Sequence, residues 1–262
     1  METEFAPIFE DFAADLDALK KMLPIAEEGD SHPQSAKARI AAGNAATLLL
    51  AAVFEEYIRQ MVKAAFREKS KVANGIKDFP PKIAANVWRQ ALEMLARVEI
   101  EDVEANTTSY EARLGAIVAF SLKKDITSDV GDVLAHNKNN MRPNQLLELF
   151  NQIGVKHILK KACEDQCLQA YFGSQNANDT CTSLTTALND FIERRNLIAH
   201  AIGLNSSSGP EQLSQDIELL STFGRALQQA LERELGKLSR QFPRNHPEVS
   251  QTTPPELGNE TP

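Results

Sequence analysis

Three residues near the end of one helical stretch carry most of the chemistry this sequence can offer: Arg195, Asn196 and His200. An imidazole can take or give a proton near neutral pH, which is what a general acid or base needs. A guanidinium brings a permanent positive charge and a planar fork of donors. Asn196 and His200 are four residues apart, so on a helix they share a face, and the amide can hydrogen-bond the imidazole and set its tautomer. Arg195 and His200 are five apart, about 140° around the axis at 100° per residue. They are not simple neighbours. Either the arginine curls toward the histidine, or residues from two chains meet.

The helix that must hold these residues has a regular apolar stripe. Leu184, Leu188, Phe191, Ile198 and Ile202 follow alternating steps of three and four. One member is missing, and Arg195 stands in its place. Burying a guanidinium without a partner is costly. The position therefore calls for a carboxylate partner, for a side chain that snorkels out along its own stem, or for a functional role. Glu193 and Arg194 flank the motif. They read as a solvated helix face.

Around this helix the pattern is helical throughout. Alanine and leucine dominate, and valine, tyrosine and threonine do not gather in alternating runs. Helices are expected at about 7–23, 35–71, 82–98, 110–123, 143–150 and 155–171, then from about 182 through the motif, and at 211–240. The first half of 35–71 is apolar on most faces, so it should be the central buried helix. The single tryptophan, Trp88, is expected in the core. A loop is expected over 125–142, with Pro143 at the first turn of the helix that follows. Residues 242–262 hold five of the twelve prolines and show no apolar period, which predicts a disordered tail. The organisation expected is one all-α domain over 1–241 with its core at about 35–235.

Bulk properties limit the function classes. A hydrophobic fraction of 42% in 262 residues supports a sizeable core. The formal net charge of −8 argues against a protein that coats duplex nucleic acid, so any nucleic-acid site must be a local patch. The basic run Arg59, Lys63, Arg67, Lys69 and Lys71 is a candidate RNA track, with Lys63, Arg67 and the motif's Arg194 as the named contacts; a plain solvated face fits the same run. Cys163, Cys167 and Cys181 are odd in number, and the acidic first twenty residues do not read as a secretory leader. They are expected to be reduced thiols in a cytoplasmic protein. Cys163 and Cys167 find no further ligands at zinc spacing, so no metal site is assigned. No phosphate-cradling glycine loop occurs, so no cofactor is assigned. No apolar run approaches the length of a membrane span.

Arg195-Asn196-Leu197-Ile198-Ala199-His200 near the end of a helix in an all-α chain resembles the motif of the HEPN superfamily, in its form with a polar residue after the arginine. Phe54-Glu55-Glu56-Tyr57 within the long helix, and Asn140-Met141-Arg142-Pro143 followed by Leu146, Leu149 and Phe150, are similar to prokaryotic members, the RiboL-PSP-HEPN group among them. The resemblance covers roughly residues 35–235. It implies a helical bundle that pairs as a homodimer, with the two motifs meeting at a cleft and cutting RNA without metal. His200 would then be the general acid or base, Arg195 would stabilise the scissile phosphate, and Asn196 would orient His200 or the phosphate. For the flanking Glu193 and Arg194 the resemblance adds the alternative of an arginine-orienting carboxylate and a second phosphate contact. The products would be a 2′,3′-cyclic phosphate and a 5′-hydroxyl. Roles as a toxin with a partner antitoxin protein, or in phage defence, go with the resemblance. The alternative is a non-catalytic HEPN module that binds a nucleotide or a partner protein; the intact Arg195, Asn196 and His200 set favours the enzyme.

Overall fold

A computed structural model describes residues 3–21, 23, 36–97, 107–136, 140–200 and 209–241. The expected tail at 242–262 and the histidines at 32 and 246 lie outside the described residues. Among those described there is no strand, and the chain is all-α. The helices are α1 (Phe5–Lys20), α2 (Ala36–Val72), α3 (Ile83–Leu95), α4 (Thr107–Ser121), α5 (Gly131–Leu134), α6 (Pro143–Gln152), α7 (Ile158–Ala162), α8 (Gln166–Tyr171), α9 (Ala177–His200) and α10 (Pro210–Gln241).

The long helix α2 is the centre, as its composition predicts. By length and composition alone it could cross a membrane. Instead Leu50, Phe54, Ile58, Met61 and Val62 are fully buried in the protein core. Helices α1 and α10 pack on α2 and on each other, and α9, α6 and α5 cover the rest of it. Helix α1 buries Phe5, Phe9, Phe12, Leu16 and Leu19, the three-and-four spacing of one face.

Three helices are locked at one point. Tyr57 of α2 stacks on Phe12 of α1, with ring centroids 4.1 Å apart. Its hydroxyl donates to the Gly224 carbonyl of α10 at 2.6 Å. Glycine is required at 224 because a Cβ there would sit 2.8 Å from Phe12 Cε1.

Several boundaries differ from the sequence reading. The single helix expected over 155–171 is two, α7 and α8. Asp165 breaks it: its backbone is extended and its carboxylate accepts from the Leu168 N–H at 3.0 Å, capping α8 afresh. Helix α9 begins at Ala177, one and a half turns before the expected start. Asn176 caps it by accepting from the N–H groups of Asn178 and Asp179 at 3.1 and 3.0 Å. The expected loop over 125–142 contains the short helix α5. Trp88 is 37% exposed rather than in the core. Helix α3 turns Ile83, Ala84, Val87 and Ala91 inward, and position 88 lies about 100° away from 87, on the outer side.

Substituting Gly224→Ala tests the three-helix lock. Alanine favours a free helix by roughly 1 kcal/mol, yet overpacking against Phe12 is expected to leave the variant about 1–3 kcal/mol less stable. Urea denaturation reads this; a neutral or stabilised variant contradicts the packing account.

Candidate functional site

Leu184, Leu188, Phe191 and Ile192 of α9 are buried completely. Beyond Ile192 the burial ends. Arg194, Arg195, Asn196 and Ile198 are half-buried, while Glu193, Ala199 and His200 are exposed. Leu197 is 71% exposed, an unusual setting for a leucine. The helix is thus anchored along its first four turns and presents its last two to solvent.

The two adjacent arginines meet different fates. Arg194 donates to Asp216 of α10 at 2.5 Å, and Gln212 donates to the same carboxylate oxygen at 3.0 Å. Asp216 is 2% exposed. Its carboxyl is pushed above the usual aspartate value because burial disfavours the charge more than Arg194 and Gln212 favour it. Arg194 is therefore a clamp between α9 and α10. Arg195 has no carboxylate within ion-pair distance among the described residues; its Nη1 donates to the Asn196 side-chain oxygen at 3.3 Å, and its Nε is buried without a partner. The charge partner that a structural arginine would require at this position went to Arg194 instead.

Asn196 is held differently from the expectation. Its Oδ1 accepts from Arg195 and also from Asn140 Nδ2 at 2.6 Å. It bonds the arginine and a residue from the α5–α6 connection, not the imidazole. Glu193 does orient an arginine, but that arginine is Arg142, whose guanidinium lies 2.6 Å from it. Sequence reasoning left the role of 137–142 open; the only signal there was the resemblance carried by Asn140 to Pro143. His200 is the last residue of α9 and is exposed, with neither Arg195 nor Asn196 bonded to it.

The basic run on α2 is spoken for. Lys63 pairs with Asp132 at 2.6 Å, and Arg67 with Glu4 at 2.7 Å. Lys71 reaches Glu4 and Glu68, and Arg59 reaches Glu55 and Glu56. Burial works against ionisation of Glu4, but the bonds from Lys71 and Arg67 outweigh it and hold its carboxyl low. Lys69 is buried, donates to the Ile153 carbonyl at 3.0 Å, and stands over the Phe79 ring. Each cation of the run would have to leave a partner before meeting RNA.

All three cysteines are free. Cys163 follows the end of α7 and Cys167 lies in α8, so the break at Asp165 puts them on separate helices. Burial, and then the neighbouring Cys181, raises the Cys163 thiol. Among the described residues, no group of His, Cys, Asp and Glu is arranged to hold a metal ion.

An all-helical bundle built around one long core helix, with Arg-Asn and His on the exposed end of a packed helix, is the HEPN class of protein. A family model described as RiboL-PSP-HEPN matches residues 10–233. The chain belongs to that family. No curated protein and no solved structure matches it. HEPN proteins of this kind are commonly ribonucleases, so the family places the chain among nuclease-type, RNA-related proteins.

The buried carboxyl gives a pH test. A group whose folded-state pKa is raised stabilises the fold below its unfolded value and loses that contribution as pH rises through the folded value. The stability of the parent relative to Asp216→Asn is therefore expected to fall as pH climbs from the usual aspartate range toward neutrality, read by urea midpoints across pH. A difference that stays flat or grows with pH would contradict it.

Proposed function

We propose that this protein is a metal-independent endoribonuclease whose catalytic set is Arg195, Asn196 and His200. The observation that carries the reading is Arg195 itself: a half-buried guanidinium, on the same helix as an exposed histidine, with no carboxylate within ion-pair distance among the described residues. A cation without a counter-charge suits an anionic substrate. In RNA the ribose 2′-hydroxyl is already the nucleophile, so the protein needs only to move protons and hold charge. His200 takes the 2′-hydroxyl proton or gives one to the departing 5′-oxygen. Arg195 holds the charge gathering on the phosphate. The P–O5′ bond breaks as the P–O2′ bond forms, leaving a 2′,3′-cyclic phosphate and a 5′-hydroxyl.

The angle of about 140° between Arg195 and His200 on α9 supports a homodimer in which each cleft draws on both chains, since two arginines and two histidines can converge on a symmetry axis. Leu197, exposed between them, is the apolar residue such an interface would cover. Within this reading the chain is a toxin or phage-defence effector held in check by an antitoxin protein; family membership is its support.

Incubating the protein with RNA in EDTA tests this. The parent is expected to cut, leaving cyclic phosphate ends, and His200→Ala and Arg195→Ala are each expected to be slower by roughly a hundredfold or more. An inert parent, or variants as fast as the parent, would sink the assignment. Light scattering at micromolar concentration is expected to report twice the chain mass; a monomer argues against the shared cleft.

A further inference from the structure

Asn140 lies outside the motif, on a different part of the chain, yet it is bonded into it. We propose that Asn140 is a positioning residue, which fixes Asn196 and through it the Arg195 guanidinium; its effect on catalysis rests on the ribonuclease reading above.

The argument starts from the Asn196 side-chain oxygen. It accepts from Asn140 Nδ2 at 2.6 Å and from Arg195 Nη1 at 3.3 Å. An amide oxygen has two lone pairs, so these two donors fill it. Asn196 then has only its Nδ2 hydrogens left to offer. That group is a donor pair, which a phosphate oxygen can accept. It can also meet an unprotonated imidazole nitrogen, but it cannot accept from an imidazole N–H. Without Asn140 the amide can turn over and present its oxygen to the phosphate, which repels it. Arg195 meanwhile is oriented by a neutral group, so its positive charge is not cancelled.

Asn140 can do this because its own position is set. Met141, the next residue, is fully buried. The Asn140 carbonyl accepts from the Arg142 N–H at 2.7 Å, and the Arg142 carbonyl accepts from the Leu146 N–H at 2.9 Å. Pro143 is buried at the first turn of α6. On the far side, the Arg142 guanidinium is tied to Glu193 of α9 at 2.6 Å. The junction entering α6 therefore grips α9 at two points, Glu193 and Asn196, on either side of the two adjacent arginines. One grip is ionic and exposed. The other is a neutral hydrogen bond within the site.

Steady-state cleavage by Asn140→Ala, Asn196→Ala and the double variant tests the claim. Asn140→Ala is expected to lower kcat about tenfold with KM little changed. The double variant is expected to be no slower than Asn196→Ala, because Asn140 acts through Asn196. Asn140→Asp has the same shape but lacks the donor, and should be at least as slow as Asn140→Ala. A variant within twofold of the parent, or losses that multiply in the double variant, would overturn the proposal. A second readout needs no activity. In nitrogen-15 spectra of the free protein, Asn140→Ala should shift the Arg195 Nε–H signal and speed guanidinium rotation, with an unchanged melting temperature. An unmoved Arg195 signal overturns the positioning role even if RNA is cut. A parent that cuts nothing counts against the ribonuclease reading alone, and the spectra still decide this one.

Discussion

The stripe of α9 that packs on α2 stops at Ile192, and the candidate site begins at the next residue. A helix rigid enough to hold catalytic side chains must be buried somewhere along its length, and a site must reach its substrate. Helix α9 divides burial and exposure along its axis. Leu184, Leu188, Phe191 and Ile192 hold the backbone against the core. Arg195, Asn196 and His200 ride on the continuation of that backbone, the first two half-buried and the last exposed. Removing large side chains from such a stripe typically costs about 2–5 kcal/mol each, so the backbone that carries the site is held by the packing of the turns that precede it.

Charge is distributed with the same economy. The protein is acidic overall, and Arg59, Lys63, Arg67 and Lys71 along α2 are each matched with carboxylates. Exposed pairs of this kind add little stability, but they neutralise the surface of α2. The pair between Arg194 and Asp216 is different, because Asp216 is buried and joins the motif helix to α10. It absorbs Asp216, the buried carboxylate nearest the motif helix among the described residues. Arg195 is left next to it with a neutral amide as its partner. Two neighbouring arginines thus divide into a structural clamp and an uncommitted cation.

The packing around the site also explains why a residue 56 positions earlier belongs to it. Helix α6 lies against α9, α2 and α7, and its entry must therefore pass the exposed end of the motif. Met141 and Pro143 anchor that entry in the core, while Asn140 and Arg142 turn toward α9.

Local patterns in the sequence were enough for the helical class, the central role of 36–72, the apolar stripe of α9, and the position of the motif on its helix, because apolar spacing and turn residues act over a few residues. The motif also carried the family. The sequence could not say which arginine would find a carboxylate: Arg194 and Arg195 differ by one step on the helix, and only the placement of α10 puts Asp216 beside the first. Nor could it reveal that the α2 cations face Glu4 and Asp132 from elsewhere in the chain. Trp88 went to the outer side of α3 because that helix is covered on one face alone. The helix over 155–171 broke because a capping aspartate outweighed a continuous apolar period. Asn140 joined the site through a contact that no local pattern encodes. Short-range periodicity decided what forms; the pairing of distant polar groups, which depends on how helices cross, decided what those helices hold ready for chemistry.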